Sequence, residues 1–239
     1  MNQTNQTPTS INILGYLAIA LLLLLPLAVL TVRSGAFQQG LALYALACLG
    51  SALLLIVLIL FLLHPKYTEH RAGLRMKALL TIPGTIALLS LTLSGDHPRI
   101  HDITTDTNDP PRFVTAAEQR GEDANSLAIK PDSIAEQLRA YPDLTTVRTT
   151  MTIDQAYSQA LAVATELGWE VYHEDRSAGI IEAVDTTRIM AFKDDIVIRV
   201  RGNAEGAYLD LRSVSRVGLG DLGANAKRIR SFVAAFNAQ

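Results

Sequence analysis

Two uninterrupted apolar runs decide what this chain can become. Ile11 to Val32 holds 22 residues and Leu41 to Leu63 holds 23, and neither contains an Asp, Glu, Lys or Arg. A bilayer core takes about 20 apolar residues as helix, so each run is long enough to cross it. Pro26 within the first is tolerated in lipid, where neighbouring groups re-satisfy the freed carbonyl. The first run lacks a basic lead-in and is too long for the apolar core of a cleaved leader. A third run, Met76 to Leu93, is shorter, carries Pro83-Gly84 and has no charge after Lys77. It is expected to cross too, with an interfacial or re-entrant segment as the alternative.

Charge divides the chain at the same place. Residues 1–94 carry five Lys and Arg and a single acid, Glu69, for a net +4. Residues 95–239 carry 16 basic and 22 acidic side chains, a net of −6. An acidic domain repels polyanions, so nucleic acid is not expected as a partner. The only cysteine, Cys48, lies in the second apolar run, which excludes an internal disulfide or an all-cysteine metal site. Between the second and third runs lie His64, Lys66, His70, Arg71, Arg75 and Lys77. The positive-inside rule places that loop in the cytoplasm. Three spans then put the N-terminus inside and residues 95–239 outside, in the periplasm of a Gram-negative cell; with two spans the domain would be cytoplasmic. Ionisable residues within spans mark ion pathways. The first two runs have none, so the bundle is read as an anchor.

The soluble half opens on a polar, proline-bearing stretch, residues 94–112, expected to be an extended connector. A short helix is predicted over Ser133–Ala140. Thr152 and Gln155 match a capping box, and Ile153, Ala156, Tyr157, Ala160, Leu161, Ala164 and Leu167 follow helical spacing as far as Gly168. Strands are predicted at Trp169–Glu174, Ile180–Thr187, Asp195–Arg201 and Ala207–Ser215, with a short extra one over Arg188–Phe192. In the last two, apolar residues alternate with charged ones, which predicts an antiparallel sheet covered on one side and solvated on the other. A final helix, about Leu222 to Phe236, would place Leu222, Ala226, Ile229, Val233 and Phe236 on one stripe. The expected fold is an α+β domain, an antiparallel sheet with helices on one face, following a bundle of three transmembrane helices.

Several stretches resemble one family. IHDITTD (100–106), DPPRF (109–113), AYPD (140–143), LGW (167–169), IEA (181–183), FKDDIVIRV (192–200) and RSVSRVGLGDLGANAKRI (212–229) occur in the order expected for the bacterial family of domains of unknown function numbered 1499. Members similar to this chain carry hydrophobic helices ahead of the domain. The resemblance implies a domain type and no activity, cofactor or partner.

Two clusters are candidates for chemistry. Ser213, Ser215, Arg216, Asp221, Asn225 and Arg228 surround a glycine-rich entry to a helix, where free N–H groups and arginines suit phosphate or carboxylate; a structural turn with Asp221 as helix cap is the simpler reading. His101, Asp102 and Asp106, with His97 and Asp109 nearby, are ligand types for a divalent cation but match no standard metal loop; local hydrogen bonding is the simpler reading there. Asp194-Asp195 is expected in a solvated turn, and as strand neighbours the two would point to opposite faces. Glu182, Arg199, Asp210 and Arg212 are expected as a charge ladder on the open face. No cofactor is expected. The reading is an inner-membrane protein presenting a binding or interaction domain to the periplasm as an accessory factor of the cell envelope. Its partners would be the lipid bilayer, another envelope protein or a small anionic ligand. The alternatives are an anion or small-ligand sensor using the Arg216–Asn225 loop, and a metal-dependent enzyme at His101, Asp102 and Asp106.

Overall fold

The computed structural model describes residues 7–93, 95 and 97–238. It falls into two compact units, Met1–Gly95 and Asp96–Gln239.

The first unit is three helices: α1 (Thr9–Arg33), α2 (Phe37–Leu63) and α3 (Arg71–Thr92). A 3-10 turn, Pro65–His70, joins the last two. All three are long and apolar enough to cross a membrane. The third starts ahead of its apolar run because helix continues back through Lys77 and Arg75 to Arg71. Small residues let the backbones approach, as lipid-embedded packing requires. A Cβ at Gly40 would meet the Val32 backbone nitrogen at 2.6 Å, and one at Gly84 would meet the Ala47 carbonyl oxygen at 3.2 Å.

The second unit is an α+β domain. Its sheet has six strands: β1 (Asp102–Thr104), β2 (Val147–Thr149), β3 (Glu170–Asp175), β4 (Ile180–Thr186), β5 (Lys193–Asn203) and β6 (Gly206–Ser215). The last four form an antiparallel meander. Beyond β6, β1 and β2 share its outer edge, Asp102–Thr104 opposite Val214–Arg212 and Val147–Thr149 opposite Leu209–Ala207. The helices are α4 (Ala116–Gln119), α5 (Pro131–Ala140), α6 (Ile153–Glu166) and α7 (Ala224–Asn237).

Local chemistry explains the boundaries. The α6 capping box is complete: the Gln155 N–H donates to Thr152 Oγ1 at 3.3 Å and the Thr152 N–H to Gln155 Oε1 at 3.0 Å. Gly168, at φ 80°, takes the left-handed turn out of the helix. At the hairpin Gly206 has φ 145°, and a Cβ there would collide with the Thr149 carbonyl oxygen, so only glycine fits beside β2. Two expectations need correction. Residues 188–192 form a turn rather than a strand, the Ala191 N–H donating to the Thr187 oxygen at 2.9 Å. Helix α7 begins at Ala224, because Leu222 sits at φ 53° and is exposed. Its buried stripe is Ala226, Ile229, Phe232 and Phe236.

Helices α6 and α7 cover one face of the sheet. Ile181, Ala183, Ile196, Ile198, Val200, Leu209 and Leu211 meet Tyr157, Ala160, Val163 and Ala164 from α6 and the α7 stripe. Trp169, Phe232 and Phe236 stack in series, with ring centroids 5.6 and 6.1 Å apart. The other face was expected to be solvated. It is covered by residues 105–130, a largely irregular strap that joins β1 to α5 and includes α4.

Candidate functional site

One set of charged residues from β4, β5 and β6 points beneath that strap. Glu182, Asp195 and Asp210 are 0% exposed and Arg212 is 2% exposed. A buried charge survives only when paired and fully hydrogen-bonded, and the strap with its flanks supplies what is missing. Asp195 accepts from Arg120 Nη1 at 2.5 Å and from Arg216 Nε and Nη2 at 3.0 and 2.7 Å. Glu182 accepts from the Val114 and Thr115 N–H groups and, at 2.6 Å, from Thr115 Oγ1. Asp210 accepts from Thr146 Oγ1 at 2.6 Å, Arg201 Nη2 at 2.6 Å and Arg199 Nη2 at 3.2 Å. Arg212 donates bidentately to Asp102, at 2.9 and 2.7 Å, and to the Pro111 and Leu127 carbonyls at 3.3 and 2.8 Å. Glu182, Asp195 and Arg212 therefore each hold a different length of strap, while Asp210 holds Thr146 just ahead of β2.

The metal-ligand candidates belong to this lattice. Asp102 is taken by Arg212, while Asp106 accepts from Arg199 and Arg201, both at 3.1 Å. Burial pushes the Asp106 carboxyl up, but the Asp109 and Asn108 N–H groups with Arg199 and Arg201 outweigh it and hold it below the ordinary carboxylate value. His101 Nδ1 instead lies 3.4 Å from the Leu219 oxygen. Among the described residues no three His, Cys, Asp or Glu side chains converge as a cation site would need.

The anion-site candidates divide between the two faces. On the helix face Arg228 Nη2 donates to Asp194 at 2.5 Å, its Nε to Asp185 at 2.7 Å and its Nη1 to Asn225 Oδ1 at 2.6 Å and Ser213 Oγ at 3.1 Å. Asn225 Nδ2 adds Ser215 Oγ at 2.9 Å. Arg216 lies across the sheet on Asp195, so it does not converge with Arg228. Asp221 accepts the Gly223 and Asn225 N–H groups at 2.8 and 2.7 Å, the capping role the sequence suggests. Asp194 and Asp195 do face opposite ways, but both are buried anchors and not a solvated turn.

Sequence reasoning missed Arg120, Asn125 and Gln137. Asn125 Nδ2 donates to the Ser215 and Gly218 carbonyls at 3.0 and 2.8 Å, bracing the glycine-rich loop from the strap. Gln137 is 1% exposed and imitates a strand for β1, donating from Nε2 to the Thr104 oxygen at 2.6 Å and accepting the Thr104 N–H at 3.0 Å. Its neighbour in sequence, Leu138, is exposed and gives no hint of this. At the far end of the second face a bulge between Val171 and His173 turns the β3 register. There Tyr172 Oη and His173 Nε2 are buried and have no hydrogen-bond partner among the described residues. Burial, with Asp195 and Glu182 nearby, pushes the Tyr172 phenol well up.

The strap also shapes the outside of the domain. Two depressions of about 430 Å³ each adjoin at Arg112 and Ile129, between the strap and α5. Pro131, Ile134 and Leu138 give one apolar wall, Phe113 and Leu127 line the inner end, and exposed Arg112 stands on the rim.

A search of curated proteins finds no match to the chain. The family model described as "Protein of unknown function (DUF1499)" matches residues 102–236. That range opens on Asp102, the strap-side partner of Arg212, and closes on Phe236, the last buried residue of α7. It takes in every strand and the whole strap, and so the chain belongs to the DUF1499 family of proteins of unknown function.

Proposed function

We propose that this is a cell-envelope accessory protein, anchored in the bacterial cytoplasmic membrane by three spans and presenting its DUF1499 domain to the periplasm as an interaction module. The observation that carries the reading is an odd number of membrane-length helices with the basic stretch, Lys66 to Lys77, between the second and third. The groove of Phe113, Ile129, Ile134 and Leu138 with Arg112 on its rim suits an apolar partner segment bearing an acid. An anion sensor built on the Arg216–Asn225 loop is less well supported, since a ligand would have to draw Arg216 off Asp195 or Arg228 off Asp194 and Asp185. A metal-dependent enzyme at His101, Asp102 and Asp106 would have to break the Asp102 and Asp106 ion pairs.

Cys48 is buried within α2, so an introduced cysteine reports cleanly. In intact cells whose outer membrane is permeable to the reagent, a membrane-impermeant maleimide is expected to label Ala178→Cys and not Thr68→Cys. The reverse pattern would sink the periplasmic assignment. Leu138→Arg is expected to abolish an in vivo crosslink formed from a photoreactive residue at Arg112. A crosslink of unchanged yield removes the groove from the reading.

A further inference from the structure

Lys66, Arg71, Arg75 and Lys77 fall within one short stretch whose only acid is Glu69. The structure organises this stretch tightly. His64 Nδ1 accepts the Lys66 N–H at 3.1 Å and Thr68 Oγ1 donates to the Pro65 oxygen at 2.8 Å. The Tyr67 ring stacks on Phe61 at 4.6 Å, with the Lys66 ammonium 5.7 Å from its centroid. Arg71 Nε donates to the Leu62 carbonyl at 3.1 Å, one of the orphan acceptors at the end of α2. That bond fixes the guanidinium plane and uses only Nε.

Lys77 lies about 9 Å further along α3, at a depth where a charge must reach back toward the surface. Its stem crosses α1 at Gly15, where a Cβ would come within 2.7 Å of Lys77 Cε. Its ammonium turns back one helical turn, 3.8 Å from where a Cβ of Gly73 would stand. The absent side chain at Gly15 thus gives the lysine a path to the end of the bundle that holds the other cations. The dipole of α3 adds to the same positive end. Beside it Ile13, Tyr16, Leu17, Met76 and Leu79 are exposed.

We propose that this end of the bundle binds the headgroup phosphate of an anionic phospholipid. Arg71, Arg75 and Lys77 are the phosphate ligands, Lys66 adds charge, and the acyl chains lie along the exposed apolar surface of α1 and α3. Cations next to apolar surface favour a lipid over a free anion, which would gain nothing from the second part. The inference rests on the helices spanning the membrane and not on which side carries the domain.

The test is native mass spectrometry of the full-length protein from mixed micelles with equal phosphatidylglycerol and phosphatidylcholine. Phosphatidylglycerol adducts are expected to dominate, and to fall about fivefold in each of Arg71→Gln, Arg75→Gln and Lys77→Gln. Gly15→Leu keeps every charge and blocks the path of Lys77, so it is expected to match Lys77→Gln while circular dichroism stays helical. Equal retention of the two lipids, or adducts unchanged in all four variants, overturns the proposal. Displacement of the bound lipid by millimolar inorganic phosphate also overturns it, in favour of a soluble-anion site. Maleimide labelling reads sidedness separately, so lipid selectivity and domain orientation can fail independently.

Discussion

The two faces of the DUF1499 sheet are both covered, by different means. On the helix side Ile196, Ile198, Leu209 and Leu211 are fully covered by other apolar side chains. On the strap side Asp195 and Asp210 are covered as completely, their carboxylates met by arginines and the Thr146 hydroxyl. An apolar face loses stability in proportion to what is trimmed from it. A charged one fails disproportionately, because removing one member leaves its partners charged and dry. The first kind of face tolerates drift in sequence, whereas the second fixes where each segment of the strap must lie.

The sharpest break in this comparison is Asp195→Ala, which leaves Arg120 and Arg216 facing each other without their shared carboxylate. It is expected to cost about 3–5 kcal/mol, read as a fall in thermal-unfolding midpoint of the full-length protein and as new protease cleavage between residues 105 and 130. Replacing all three residues with leucine or methionine sharpens the point. The triple variant is expected to recover at least half of the loss, since an apolar cluster carries no unpaired charge. On the opposite face Ile198→Val removes one methylene from a fully buried side chain and is expected to cost about 1 kcal/mol with no change in strap cleavage.

Acid provides a graded version of the first experiment. Asp106 is held below its ordinary value of 3.8. A depressed carboxylate contributes fully above its unfolded value and loses that contribution as pH falls through the folded one. The midpoint is therefore expected to hold between about pH 7 and 5 and to drop below about pH 4. Asp106→Asn should flatten that acid limb. Smallest is Asp143→Asn: its pair with Arg230 has bidentate geometry at 2.7 and 2.8 Å, but both side chains are about half exposed. Solvent screening leaves an effect under about 1 kcal/mol.

What the sequence revealed follows the same division. The capping box at Thr152, the stop at Gly168 and the meander from β3 to β6 are local patterns, and each stands where the periodicity puts it. Strands β1 and β2 are three residues long, too short for alternation to register. The strap has no period at all. Its partners lie far off in sequence, Arg120 from Asp195 by 75 positions and Asp102 from Arg212 by 110. Alternating apolar and charged residues say that a sheet has two different faces but not what covers the second. Arg216 and Arg228 were joined in one candidate site because they are close in sequence, yet strand alternation sends Arg216 to the strap face, and Arg228 lies on the helix that covers the other.

The pairing of β1 with β6 has a consequence for biosynthesis. Asp102 leaves the ribosome more than a hundred residues before Arg212, its partner in the folded domain. Contacts of such long sequence separation form late and slowly. During translation the anchor helices are complete while the domain behind them is still an open chain, with its strap unattached. Its acidic surplus helps to keep that open chain soluble until the final hairpin arrives. A nascent chain that stops before residue 212 stays tethered to the bilayer and lacks the closing strand, a natural substrate for membrane quality-control proteases.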